Sequence, residues 1–338
     1  MKKQVLSIFL FVIIVFASGN FRTVFAQAET LSKGRSIFSV FYTRSDTETR
    51  FDFLGERVRV IPAAGPDFRG STRSDIISFD YAYGITDRLE IHVTVPYADI
   101  EFASIDRNGT KVKEFSPSEA AISNTRFGLR YNLVRKDNFF VTAKFDVKAP
   151  ASSSELQRGL SGTTLPIDEG QTDFDITGQV SRRFIVGNRL LRVGAEAGIR
   201  LRREQSDGAT DAFTNETLPV DPANEFIYNF QVNYSLLRRL SLGLVGNGIE
   251  QGDFRVPFRT IRVGNDGEVK TVGTQGSLPP GFKPDFEKQS GRRIFSLGPI
   301  ANLSVTAKTT FTAGVLFTVS GRNFPAGQYL VFGVSRVF

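Results

Sequence analysis

The chain has no cysteine and no tryptophan, and only one histidine and one methionine, in 338 residues. Without cysteine there is no disulfide framework, iron–sulfur cluster, zinc finger or cysteine nucleophile to read. With His92 as the single imidazole, no metal centre is expected, and no cofactor motif stands out. Beyond the first residues no segment reaches the run of about 20 apolar residues that a membrane helix requires. A clustered basic face is missing too. The formal net charge is +7, and Lys2, Lys3 and Arg22 near the start contribute part of it. So mild an excess does not point to nucleic acid as a partner.

What is present is phenylalanine, at 32 residues, in a chain whose mean hydropathy is −0.12. A chain rich in aromatics, polar on average and without helical spans is either water-soluble or a membrane barrel whose strands alternate apolar and polar residues.

Residues 1–28 have the form of a secretory signal peptide. Lys2 and Lys3 supply the charged start and Val5 to Ala17 the apolar core. Ala26-Gln27-Ala28 places small residues where a signal peptidase reads them, so cleavage is expected after Ala28, with Ala26 the close alternative. The remainder, 29–338, is expected to form one domain.

That remainder alternates with period two, the signature of strands whose successive side chains face opposite sides. In 88–98, Leu89, Ile91, Val93, Val95 and Tyr97 share one face, while Glu90, His92, Thr94 and Pro96 share the other. In 124–133, Phe127, Leu129, Tyr131 and Leu133 oppose Arg126, Gly128, Arg130 and Asn132. The same pattern opposes Val141, Phe145 and Val147 to Lys144, Asp146 and Lys148, and Val193, Ile199 and Leu201 to Arg192, Glu196, Arg200 and Arg202.

A soluble sandwich alternates as well, but three further features favour a transmembrane barrel. The polar faces carry full charges in mid-strand, which neither lipid nor a dry core would hold unpaired. Tight connections near 84–87, 134–138, 187–188, 237–239 and 307–308 alternate with long ones near 45–71, 103–120, 151–170, 204–224 and 252–291. Short turns on one rim and long loops on the other describe an outer-membrane barrel. The chain also ends on a strand closed by Phe338, a terminus suited to recognition by the barrel-insertion machinery. Arg336 breaks the apolar face of that strand, next to headgroups to which it can snorkel.

The expected fold is therefore all-β: an antiparallel up-and-down barrel of about 12 strands in contact with outer-membrane lipids, with 14 if 50–61 crosses the membrane. Only Glu29 to Lys33 precede the first strand, so an N-terminal plug is not expected. A plug would come from a loop, with 252–291 the longest candidate. The candidate lumen and selectivity residues are His92, Arg126, Arg130, Lys144, Asp146, Asp173, Asp175, Arg192, Glu196 and Arg200. Asp173 and Asp175 share a strand face. They form either a carboxylate pair for acid–base work or cation binding, or part of a network with inward arginines such as Arg192 and Arg200. The inward bases outnumber the inward acids, which predicts a mild preference for anions. No Gly-x-Ser-x-Gly elbow accompanies His92, so no catalytic residue is assigned and an enzyme is the least favoured reading.

Several segments together resemble one family. They are Tyr83 to Tyr97 (YGITDRLEIHVTVPY), Gly128 to Leu133 (GLRYNL), the strand ending Val147-Lys-Ala-Pro150, and Gly170 to Gly178 (GQTDFDITG). The chain is similar over about 72–338 to the outer-membrane transporter family named for the meta-pathway of phenol degradation. That resemblance implies a barrel and the uptake of aromatic or other hydrophobic compounds, and it brings no catalytic residues. The charged inner face suits small polar solutes equally well. The expected function is passive passage of a small-molecule solute across the outer membrane. The alternative is a structural or adhesive surface barrel with a sealed lumen.

Overall fold

The computed structural model describes residues 28–51, 54–59, 69–105, 118–149, 172–202, 223–252, 291–322 and 324–338, with the short stretches 254–257, 261–263, 269–271 and 286–289. Long antiparallel strands account for most of them. We number the wall strands β1 (Ser36–Phe51), β2 (Arg69–Gly84), β3 (Leu89–Ile105), β4 (Thr125–Lys136), β5 (Phe139–Ala149) and β6 (Asp173–Val186). They continue as β7 (Arg189–Arg202), β8 (Glu225–Ser235), β9 (Leu240–Gln251), β10 (Arg293–Ser304), β11 (Thr309–Arg322) and β12 (Phe324–Val337). Each pairs with its chain neighbour, and β12 pairs back onto β1 through Ser39↔Ser335 and Phe41↔Gly333. The result is a closed barrel of 12 strands, which leaves no open sheet edge to satisfy in lipid.

The tight turns are built from local chemistry. In 84–89 the Thr86 hydroxyl accepts from the amides of Arg88 and Leu89, at 3.1 and 2.9 Å. Thr306 does the same for Lys308 and Thr309, at 3.1 and 2.9 Å. Asp137 and Gly187, at φ 44° and 61°, take the left-handed conformation that two-residue hairpin turns need.

Two connections are shorter than the sequence suggested. β1 runs on to Phe51 and β2 starts at Arg69, so the ends of 45–71 belong to the wall. β3 likewise reaches Ile105, and Ser118–Ile122 pairs with its upper half before a break at Ser123 and Asn124. Alternation weakens in these stretches because they carry polar residues on both faces. The 14-strand alternative is excluded: Arg57–Arg59 is a three-residue strand hydrogen-bonded to the top of β1, too short to cross. Loop 151–170, and 204–224 as far as residue 222, lie outside the described residues. In 252–291 the described stretches form two small ladders, Phe254–Pro257 with Phe286–Gln289 and Ile261–Val263 with Val269–Thr271.

The outer surface is apolar. Phe79, Tyr81, Ile91, Phe127, Leu129, Tyr131, Phe145, Ile176, Ile199, Phe226, Leu242, Phe317 and Phe332 are all exposed, an arrangement that water would disfavour and hydrocarbon would accept. On β12 the guanidinium of Arg336 stacks 5.4 Å from the Phe338 ring centroid, so the residue that breaks the apolar face is covered by the terminal aromatic. The interior holds the buried polar residues, among them Asp146, Lys148, Asp173, Asp175, Thr177 and Arg200.

The few residues ahead of β1, too short for a plug domain, nevertheless enter the lumen. Ala28, Thr30 and Leu31 are fully or almost fully buried. The Ala28 carbonyl accepts from Asn132 Nδ2 at 2.8 Å and from the Thr142 hydroxyl. The Leu31 amide donates to Glu90 Oε2 at 2.7 Å, and Glu29 pairs with Arg183.

Candidate functional site

Register stacks the inward side chains in rows across neighbouring strands. One row runs His92 (β3), Gly128 (β4), Asp146 (β5), Asp175 (β6), Arg200 (β7) and Glu225 (β8). The next, nearer the N-terminal segment, holds Glu90, Arg130, Lys144 and Thr177. On the other side lie Asp80, Thr94, Arg126, Lys148, Asp173 and Arg202.

Gly128 is what makes the first row work. A Cβ there would collide with both the His92 ring and Asp146 Oδ1. Its absence lets the imidazole of β3 reach across β4 to the carboxylate of β5, with Nε2 2.7 Å from Oδ1. Lys144 Nζ meets the other oxygen of Asp146 at 2.7 Å and lies 3.8 Å from Glu196. Arg130 holds Glu90 at 2.7 Å and Gln179 at 3.0 Å. Gln179 in turn donates to Glu196 at 2.9 Å.

Asp173 and Asp175 are not a free carboxylate pair. Arg200 grips Asp175 through both its oxygens, at 2.7 and 3.0 Å, and Lys148 holds Asp173 at 2.9 Å. Fork geometry of this kind is the strong form of the interaction. Of the two arginines the sequence offered as partners, Arg200 fills the role. Arg192 does not, because it lies eight residues along β7, beside Arg183 in register, where it lines a small second pocket with Glu29 and Asn233. Glu225, which the sequence reading passed over, completes the cluster: Arg200 and Arg202 reach it at 2.8 and 3.0 Å. Parity alone would have found it, since it shares a face with Asn229, Gln231 and Asn233.

Between this charged wall and the strands β1 to β3 lies a cavity of about 630 Å³. Its two sides differ. Arg126, Arg130, Lys144, Asp146 and Glu196 line one, while β1 to β3 bring an apolar patch of Ile37, Ile76, Pro96, Ala98 and Ile100 together with Ser39, Ser78, Asp80, Glu90, His92 and Thr94. Glu29 and Leu31 of the N-terminal segment close one end. Nine of the ten lumen candidates border this space or contact the residues that do, and Arg192 lines the second pocket.

No family model matches the sequence, and no curated protein does. Solved structures do match. The COG4313 outer membrane channel from Pseudomonas putida F1 is similar at a TM-score of 0.63 and 16% identity, covering 94% of this chain and 100% of that one. The chain has the fold of an outer-membrane β-barrel. Looser likenesses are the translocator domain of the autotransporter NalP from Neisseria meningitidis and the P. putida toluene transporter TodX. NalP matches at TM-score 0.42 and 9% identity, over 90% of this chain and 89% of that one. TodX matches at TM-score 0.38 and 9% identity, over 91% of each chain.

Proposed function

We propose that the protein is a passive outer-membrane channel for small molecules with apolar, aromatic bodies, of the kind suggested by its resemblance to the phenol meta-pathway transporters. The observation that carries this reading is the two-sided cavity inside a closed barrel. At about 630 Å³ the space is the size of an ordinary small-molecule site, and it offers both charged and apolar side chains to a guest. The terminal strand ending in Phe338 suits capture by the barrel-insertion machinery.

A second reading has its own support. The inward charges largely neutralise one another and the N-terminal segment closes one end, as a sealed surface barrel would require. Conductance separates the two. Inserted singly into planar bilayers in potassium chloride, the protein is expected to give discrete current steps. A membrane carrying folded protein that stays silent would favour the sealed barrel.

A further inference from the structure

We propose that the lumen cavity binds amphipathic organic acids, molecules with one carboxylate on an aromatic or alkyl body, and that Arg126 holds the carboxylate. This rests on the channel reading and names its substrate class.

Arg126 is the loosely held cation of the network. Its side chain is 39% exposed, and it approaches Asp175 only to 3.9 Å. Asp175 is already occupied by two closer bonds from Arg200. In its own row Arg126 is flanked by Thr94 and Lys148, with no acid on either side. Lys148 opposite is already held by Asp173 at 2.9 Å, so an added anion would pair with Arg126.

The apolar patch begins one inward step away. Pro96 follows Thr94 on the lumen face of β3, about 7 Å along the strand, and Ala98 follows it. Ile76 of β2 sits opposite Ala98. A carboxylate at Arg126 therefore places a phenyl or alkyl body against Pro96, Ala98 and Ile76. The orientation is enforced from the other side. Asp80 ends the row beyond Thr94, whose hydroxyl it accepts at 2.5 Å, roughly 10 Å or two strand spacings from Arg126. Its charge turns an anion away from β2 and towards β4. An amphipathic amine bound with its charge in the carboxylate's place would set that charge beside Arg126.

Calorimetry on the detergent-solubilised full barrel tests this with three probes: 4-phenylbutyrate, its neutral amide, and acetate. The acid is expected to bind saturably, and the amide and acetate each at least about tenfold more weakly, the loss of one charge-assisted contact or of one buried phenyl group. Arg126→Gln should bring the acid down to the level of the amide and leave the amide unchanged, with heat-modifiable gel mobility reporting the intact fold. Arg126→Lys should restore part of the preference. Equal affinity for acid and amide, acetate binding as tightly as the acid, no binding at all, or an unaffected Arg126→Gln protein would each overturn the proposal. The native protein's acid-to-amide ratio decides the matter even where a variant fails to fold. Channel steps without acid preference would remove the subsite and keep the channel. Acid binding without any conductance would remove the channel.

Discussion

Gly128 sets the chemistry of its neighbours by having no side chain. Its lumen face is the bridge point between His92 on β3 and Asp146 on β5, which are two strands apart and could not otherwise meet. Gly128→Leu should therefore force the imidazole and carboxylate apart and leave a buried acid short of a partner, at a cost of about 1–3 kcal/mol. Thermal unfolding followed by heat-modifiable mobility reads this out, with His92→Gln as the milder comparison. A Gly128→Leu barrel as stable as the native one would remove the bridge from the account. At this scale the sequence was informative about facing but not about partners. Parity placed Arg130, Lys144 and Glu196 in the lumen because side-chain direction alternates strictly along a strand. It could not show that Lys144 meets Asp146, or that Arg192 lies away from Asp173, because partners depend on inter-strand register.

Register is decided by turns and bulges, which are properties of elements. The shifts between Asn132 and Val134, and between Phe295 and Ser296, move the pairing by one residue without leaving a clear mark on composition. The N-terminal segment was illegible for a related reason. Five or six residues carry no periodicity, and only the folded lumen shows that their backbone amides and carbonyls have partners. Asn132 and Thr142, both fully buried, donate to the carbonyl of Ala28. A mature chain beginning at Glu29 would lack that carbonyl and leave two buried donors without their acceptor. Cleavage after Ala26 keeps it. N-terminal sequencing of protein extracted from the outer membrane is thus expected to begin Gln27-Ala28-Glu29. A first residue of Glu29 would show that the contacts of Glu29, Thr30, Leu31 and Lys33 hold the segment without Ala28.

For the whole molecule, alternation and the rhythm of short and long connections were enough to give a 12-strand closed barrel, because those two features are what lipid and closure demand of any such chain. The lumen's two-sidedness was not legible. Ile76, Pro96, Ala98 and Ile100 read as ordinary strand residues until closure brings them opposite Arg126 and Lys144 around one space. Charge counting suggested a lumen that merely favours anions. Among the described residues most of those charges are paired with one another, and the selectivity proposed above falls to Arg126 and the apolar side chains near it. The account stands on those side chains facing an accessible lumen. Swelling of proteoliposomes in sodium phenylacetate at neutral pH tests this most directly, against protein-free liposomes and against Ala98→Trp, which fills the cavity from its apolar side. The account predicts entry faster than in either control. Swelling no faster than in protein-free liposomes, with the barrel folded and inserted, would contradict it.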